Sequence, residues 1–251
     1  MPEPIRIETI DNDWDALYRK YPDIYDKFAQ TEYKDQKIIK SIDRMFELND
    51  KVVLDVGSGT GLLTLNLAEY AKFVFGVEPE EAMRNLALEK AKGIKNVRFL
   101  EGKAEKIPLR AKSVNIVTAI NSIPVYHPEM SEMEEATEKF VEEASRVAKK
   151  GGHLIIVDVA PFWYGGELAP IILGMKRTTK EDAEGKAHRI LVEKLKFRHK
   201  DISAVQRFNS LQDAVKTYGF IFGRKAIDYL ISHNKRIIKW KFRMYYRSLN
   251  H

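Results

Sequence analysis

The chain has 251 residues, a net charge of +6, 44% hydrophobic and 31% charged residues, and no cysteine. That balance excludes a disordered chain and fits one soluble domain with a sizeable core, while the missing cysteine excludes disulfides, zinc–thiolate centres and cysteine nucleophiles. No apolar run approaches the roughly 20 residues that cross a bilayer, and the opening "MPEPIRIETIDNDWD" lacks the apolar core of a signal peptide, so the expected location is the cytoplasm with no membrane partner.

The charge is uneven. Residues 1–150 carry 23 Lys+Arg against 27 Asp+Glu, and residues 151–251 carry 19 against 9. A basic half of this kind can attract RNA, and equally can be a solvated surface. Abundant Lys and Glu without cysteine is also the composition of a thermophilic protein.

Along residues 14–47, Trp14, Leu17, Tyr18, Tyr21, Ile24, Tyr25 and Phe28 recur at helical spacing, with Pro22 dividing two short helices. Ile38, Ile39, Ile42, Met45, Phe46 and Leu48 then share one helical face. Strands and helices alternate next: strand 51–56, helix 61–71, strand 72–78, helix 80–92, strand 96–101, strand 113–120, helix 131–149 and strand 153–159. This alternation implies an α/β fold, a doubly wound and mostly parallel sheet covered by helices on both faces. "KKGG" at 149–152 reads as a helix-ending turn.

Residues 160–170 read as an aromatic, glycine-containing loop, 179–197 as a basic helix and 201–208 as a strand. Ser210 caps a short helix and 224–233 forms another. From Ile238 to Arg247 the pattern has period two. Ile238, Trp240, Phe242, Met244 and Tyr246 point to the core, and Lys239, Lys241, Arg243, Tyr245 and Arg247 point outward, as on a charged edge strand. The chain divides into a helical cap (1–50), a nucleotide-binding core (51–160), an insertion on the substrate side (160–200) and terminal strands and helices (201–251), all within one domain.

Gly57, Gly59 and Gly61 sit between an apolar strand and a helix. In an open sheet of this type the ligand binds beyond the carboxyl ends of the strands, where glycines let the backbone approach it. A dinucleotide fingerprint needs a third glycine at 62, where Leu62 stands, and no Lys-Ser/Thr pair follows to make a phosphate loop. Glu78, at the end of the second strand, can accept both hydroxyls of a ribose. Asp55, just ahead of the turn, suits an ammonium group and repels a pyrophosphate.

"VLDVGSGTG" (53–61), "GVEPEEAM" (76–83), "FLEGKAEKIPL" (99–109), "SVNIVTAINS" (113–122) and "EEASRVAKKGGHLII" (142–156) resemble, in order and spacing, the motifs of the class I S-adenosylmethionine (SAM)-dependent methyltransferases. "YDKFA" (25–29) is similar to an N-terminal element that packs over the cofactor in that family. The resemblance covers roughly residues 24–160. It implies a seven-stranded sheet with the last strand antiparallel, and SAM as cofactor with S-adenosylhomocysteine (SAH) as product.

Carried over by position, Asp55, Gly57, Ser58, Gly59 and Gly61 surround the methionine end. Glu78 holds the ribose, with Pro79 and Met83 beside it and the adenine. Ala104 and Glu105 meet the adenine edge, and Asn121 approaches the methionine portion. The sequence departs from the family's usual acids at Lys103 and Asn115.

The sulfonium is already an activated donor, so alignment and exclusion of water are the enzyme's main tasks. His127 and Tyr126, in "NSIPVYHP" (121–128), are the candidates for a base. Tyr25, Tyr126, Phe162, Trp163 and Tyr164 are expected on the acceptor side, where they could stack on an aromatic acceptor, cage a cation or simply pack. The missing cysteine removes the covalent route to pyrimidine C5, and "NSIP" lacks the Asn/Asp-Pro-Pro-aromatic pattern of base amino methylation. A small-molecule acceptor is expected, with RNA or a non-catalytic SAM- or RNA-binding domain as alternatives. No metal site is expected.

Overall fold

In the computed structural model, residues 8–123, 129–173 and 183–249 are described. Apolar residues at successive positions, as in Val52–Val56 (β1) and Val114–Ile120 (β4), can be satisfied only in strands covered on both faces. Around them lie Phe73–Glu78 (β2), Val97–Glu101 (β3), Ala148–Val159 (β5), Arg198–Arg207 (β6) and Ile237–Leu249 (β7), in one seven-stranded sheet of order β3-β2-β1-β4-β5-β7-β6. The first five positions are parallel, and β7 runs antiparallel to both β5 and β6. Strand order reverses between β1 and β4, so a ligand crevice opens at their carboxyl ends.

One face is packed by Trp14–Lys20 (α1), Pro22–Glu32 (α2), Lys37–Phe46 (α3) and Leu62–Ala68 (α4). Glu81–Lys90 (α5) leads into β3, and Met130–Val147 (α6) buries Phe140, Val141, Ala144 and Val147 against the opposite face. Ala169–Ile172 (α7) and Ala183–His188 (α8) precede β6; Leu211–Ala214 (α9), Phe220–Phe222 (α10) and Arg224–Ser232 (α11) return to the first face. Pro22 stands at the first position of α2, where its missing N–H costs nothing.

The structure departs from sequence expectation at four places. β7 is not an edge strand, because β6 pairs along its whole length and takes the edge. Consequently Tyr245 is buried and Tyr246 only half-buried, the reverse of a simple alternation with one wet face. "KKGG" does not end a helix before the strand. It is a bulge inside β5, where the partner of Val114 is Ala148 and that of Ile116 is His153, with Gly151 at φ +73°. Residues 166–170, expected as loop, form a 3₁₀ turn and the start of α7, and the expected 179–197 helix is, in its described part, α8 continued by a π-helical stretch to Lys194.

Candidate active site

The turn after β1 has Gly57 at φ +73° and Gly59 at φ +53°, conformations that side-chain-bearing residues rarely adopt. A Cβ on Gly57 would fall 2.3 Å from the Ser122 Cβ, so this glycine lets the turn close against the end of β4. A Cβ on Gly59 would press on Met83 and Tyr25, at 3.3 and 3.7 Å. Gly61 instead gives room to Phe99 and Ala87 and starts α4, which is a packing role.

Glu78 ends β2 and is buried. Its Oε2 accepts from the Gly59 N–H at 2.8 Å and its Oε1 from the Glu80 N–H at 2.9 Å. Each oxygen keeps a second lone pair. Burial raises the Glu78 pKa, partly offset by those two N–H groups. Asp55 lies beneath the turn, accepting from the Thr64 and Thr118 hydroxyls at 2.7 and 3.0 Å, and burial pushes it up to about 6 against those hydrogen bonds. It lines a small pocket of about 20 Å³ together with Ser58, rather than the main cavity.

The main cavity, about 650 Å³, starts at Gly57, Gly59, Glu78, Pro79, Met83 and Asn121 and continues into a chamber walled by aromatic side chains. Trp14, Tyr18, Tyr25 and Phe28 come from α1 and α2, Tyr164 follows β5, and Phe222 and Trp240 come from α10 and β7. The Trp14 Nε1–H donates to the Tyr164 hydroxyl at 2.6 Å, and that hydroxyl donates to Asn12 at 3.1 Å. Glu32, Asp158 and Glu184 add carboxylates to the walls of this chamber, all three buried.

A hydrogen-bonded chain links the two ends. Asn121, at φ +51° where β4 ends, donates through Nδ2 to the Tyr33 hydroxyl, and Tyr33 in turn bonds to the Glu32 carboxylate. Burial raises Glu32 to about 8, with the Tyr33 hydrogen bond acting the other way.

Comparison with known proteins accords with this geometry. The family described as "Methyltransferase domain" matches residues 54–156. An uncharacterized methyltransferase of Anoxybacillus flavithermus is 31% identical over 157 residues, which span 57% of this chain and 68% of the relative. The chain belongs to the class I SAM-dependent methyltransferases. Two solved structures share the methyltransferase fold. YcgJ of Bacillus subtilis has a TM-score of 0.57 at 19% identity, covering 85% of this chain and 98% of that one. A SAM-dependent methyltransferase from Aquifex aeolicus has a TM-score of 0.50 at 20% identity, covering 94% and 93%.

The residues present suit the donor that this methyltransferase family implies. Ser58 Oγ and Asn121 Oδ1 are buried without a hydrogen-bond partner beside the glycine turn, which leaves acceptors for an amino acid end. Glu78 presents lone pairs of the kind a ribose diol needs. Ala104 and exposed Glu105 are not among the described lining residues of the cavity.

On the acceptor side the expectations divide. Tyr25 and Tyr164 line the methyltransferase cavity, whereas Phe162 is 44% exposed and Trp163 lies under the Lys241 ammonium, 5.0 Å from the ring centroid. The tight turn after β5 (Phe162 at φ +68°) explains why neighbours in sequence point to different places. Tyr126 and His127 lie outside the described residues. Asn115 accepts from the Val52 N–H at 3.0 Å, a structural role between β4 and β1.

Sequence reasoning missed Glu32 and Asp158. Both carried a signal: Glu32 follows Phe28 by one helical turn, and Asp158 is an acid near the carboxyl end of a buried strand.

Proposed function

We propose that this methyltransferase binds SAM between the glycine turn and Glu78 and transfers its methyl group to a small molecule held in the aromatic chamber. The observation that carries the reading is the continuity of the cavity. One space of about 650 Å³ runs from Gly59 and Glu78 to Glu32 and Asp158. That is within the roughly 300–1,000 Å³ of small-ligand sites.

When bound, SAM supplies a methyl group already activated by its positive sulfur. The chain's own residues then bind, orient and exclude water. Glu78, prefixed by two backbone N–H groups, accepts the ribose hydroxyls. Met83 and Pro79 offer an apolar surface beside it. Asn121 Oδ1 and Ser58 Oγ receive the N–H groups of the amino acid end. Asp55 acts at one remove, holding the turn through Thr64 and Thr118. The α1 and α2 aromatics close the chamber and keep water from competing with the acceptor.

A small acceptor suits this site better than RNA, because the charged residues among the described lining are all carboxylates and would repel a phosphate backbone. The experiment is transfer from SAM labelled in the methyl group, offered a metabolite extract, tRNA and rRNA in parallel. Label in the metabolite pool is the expected result. Label confined to RNA would favour the RNA alternative, and none in any pool, with SAM bound, would mark a non-catalytic domain.

A further inference from the structure

We propose that Tyr33 is a positioning residue for the donor: its hydroxyl fixes the Asn121 carboxamide with the carbonyl oxygen toward the amino acid end of SAM. This role rests on the methyltransferase reading above. It goes beyond that reading by giving a part in donor recognition to a residue outside the described lining of the main cavity.

The backbone around Asn121 is held on both sides. Its N–H donates to the Val157 carbonyl at 2.8 Å. The next residue, Ser122, donates through Oγ to the Val56 carbonyl at 2.7 Å and sits against Gly57. Asn121 itself has φ +51°, a left-handed conformation that asparagine tolerates better than most residues. With the backbone fixed, the remaining variable is which end of the carboxamide faces the amino acid end of the donor. Oδ1 only accepts and Nδ2 only donates. A ligand ammonium pairs with the first and is repelled by the second.

Tyr33 settles the choice. Its hydroxyl has one hydrogen and two lone pairs. Burial raises both Tyr33 and Glu32, and the bond between them raises Tyr33 and lowers Glu32, as it must when the hydroxyl is the donor. The single hydrogen is therefore spent on the Glu32 carboxyl. Only lone pairs remain for Asn121, and Nδ2 donates to them. In the flipped amide, Oδ1 would meet the hydroxyl oxygen with no hydrogen between them.

The other end of the amide is left over. Asn121 Oδ1 is buried without a hydrogen-bond partner among the described residues, as is Ser58 Oγ. A buried acceptor left unpaired is costly, and an arriving ammonium N–H removes that cost. Flipping the amide would leave the same place unsatisfied and lose the Tyr33 bond as well.

Tyr33 is built to hold still. It caps the C-terminal end of α2, where its own N–H donates to the Ala29 carbonyl. The residue is buried, with its ring centroid 6.0 Å from that of Phe242. Gln206 of β6 donates to the Phe28 carbonyl at 3.3 Å and to the Thr31 hydroxyl at 3.0 Å, which pins the last turn of α2 to the sheet. The ring thus supplies packing and the hydroxyl supplies orientation. Tyr33→Phe separates the two, because it keeps the ring.

The test is calorimetric binding of SAH to the wild type, Tyr33→Phe, Asn121→Ala and the variant carrying both. Asn121→Asp is measured alone and combined with Tyr33→Phe. The two single variants Tyr33→Phe and Asn121→Ala should each weaken SAH by about tenfold, the size of one charge-assisted hydrogen bond. The variant carrying both should bind no worse than Asn121→Ala, since the hydroxyl acts only through that carboxamide. Asn121→Asp presents an oxygen in either orientation, so adding Tyr33→Phe to it should change SAH affinity by less than twofold. A role in packing alone would not be rescued in this way.

Tyr33→Phe that binds SAH as tightly as the wild type, losses that multiply in the variant carrying both, or a tenfold loss that persists in the Asn121→Asp background would each overturn the Tyr33 role. SAH binding to the wild type would still leave the methyltransferase reading standing. Failure of the wild type itself to bind SAH would overturn both.

Discussion

The Thr60 hydroxyl donates to the buried Asp26 carboxylate at 2.5 Å, tying helix α2 to the glycine turn that follows β1. Lys90 completes the knot. Its ammonium pairs with Asp26 and donates to the Thr60 carbonyl at 2.9 Å, and Gln30 donates to the other Asp26 oxygen at 2.7 Å. The cap that supplies Tyr25, Phe28 and Glu32 to the cavity is therefore fixed by polar bonds to the glycine turn itself. Asp26→Ala should cost about 2–3 kcal/mol of stability, since it strands a partly buried ammonium and a buried hydroxyl. Urea unfolding of the variant against wild type measures it, and an unchanged midpoint would show that the cap is held by apolar packing alone.

Gly57 and Gly93 separate steric from backbone constraint. Both have positive φ, +73° and +85°. A Cβ at Gly93 meets nothing within 4 Å, whereas at Gly57 it overlaps Ser122. Gly93→Ala should cost only the backbone penalty of about 1 kcal/mol. Gly57→Ala should cost more and weaken SAM binding, read by thermal denaturation and calorimetry on both variants. Equal losses would mean that the Ser122 contact relaxes freely.

Removing the ribose acceptor is a direct test of the cofactor end. Glu78→Ala should weaken SAM binding by more than tenfold, and Arg19→Ala, which frees Glu80 on the surface, should not. Unchanged affinity in Glu78→Ala would refute the ribose role.

The pH dependence of stability has a definite sign. Glu32 and Asp55 are held by burial at about 8 and about 6 in the folded protein, and Glu78 is raised in the same sense. The unfolded chain ionises these carboxyls at roughly 4. Between that value and 8 the folded state holds more protons, so stability falls as pH rises and levels off above 8. For Glu32 alone the loss is at most roughly 5 kcal/mol. The ligand-free protein should melt at a higher temperature at pH 5 than at pH 8.5, and Glu32→Gln should flatten that slope. A melting temperature that rises with pH would show that Glu32 is ionised in the empty cavity.

The parts legible in the sequence are those set locally. The β1 and β4 runs, the turn from Gly57 to Gly61, Glu78 at the end of β2 and the Ser210 cap, which accepts from the Asp213 N–H at 3.0 Å, all follow from periodicity and turn chemistry within a few residues. The parts that escaped depend on partners far away in the chain. Lys239, Lys241 and Arg243 look like an exposed edge until β6 is known to pair beyond them; Arg243 then bonds Asp201 at 2.6 Å. Glu32 looks like a solvated acid until α2 is folded over the cavity. The aromatic residues after β5 share one stretch, yet backbone geometry sends Tyr164 to the cavity and Trp163 to Lys241.

The central claim is that the space between the glycine turn and Glu78 is a SAM site. Calorimetric titration of the ligand-free protein with SAM, SAH and NAD, each alone, tests it most directly. Saturable binding of SAM and SAH at one site, with no heat from NAD, is the expected result. Saturable NAD binding with none for SAM or SAH would contradict it.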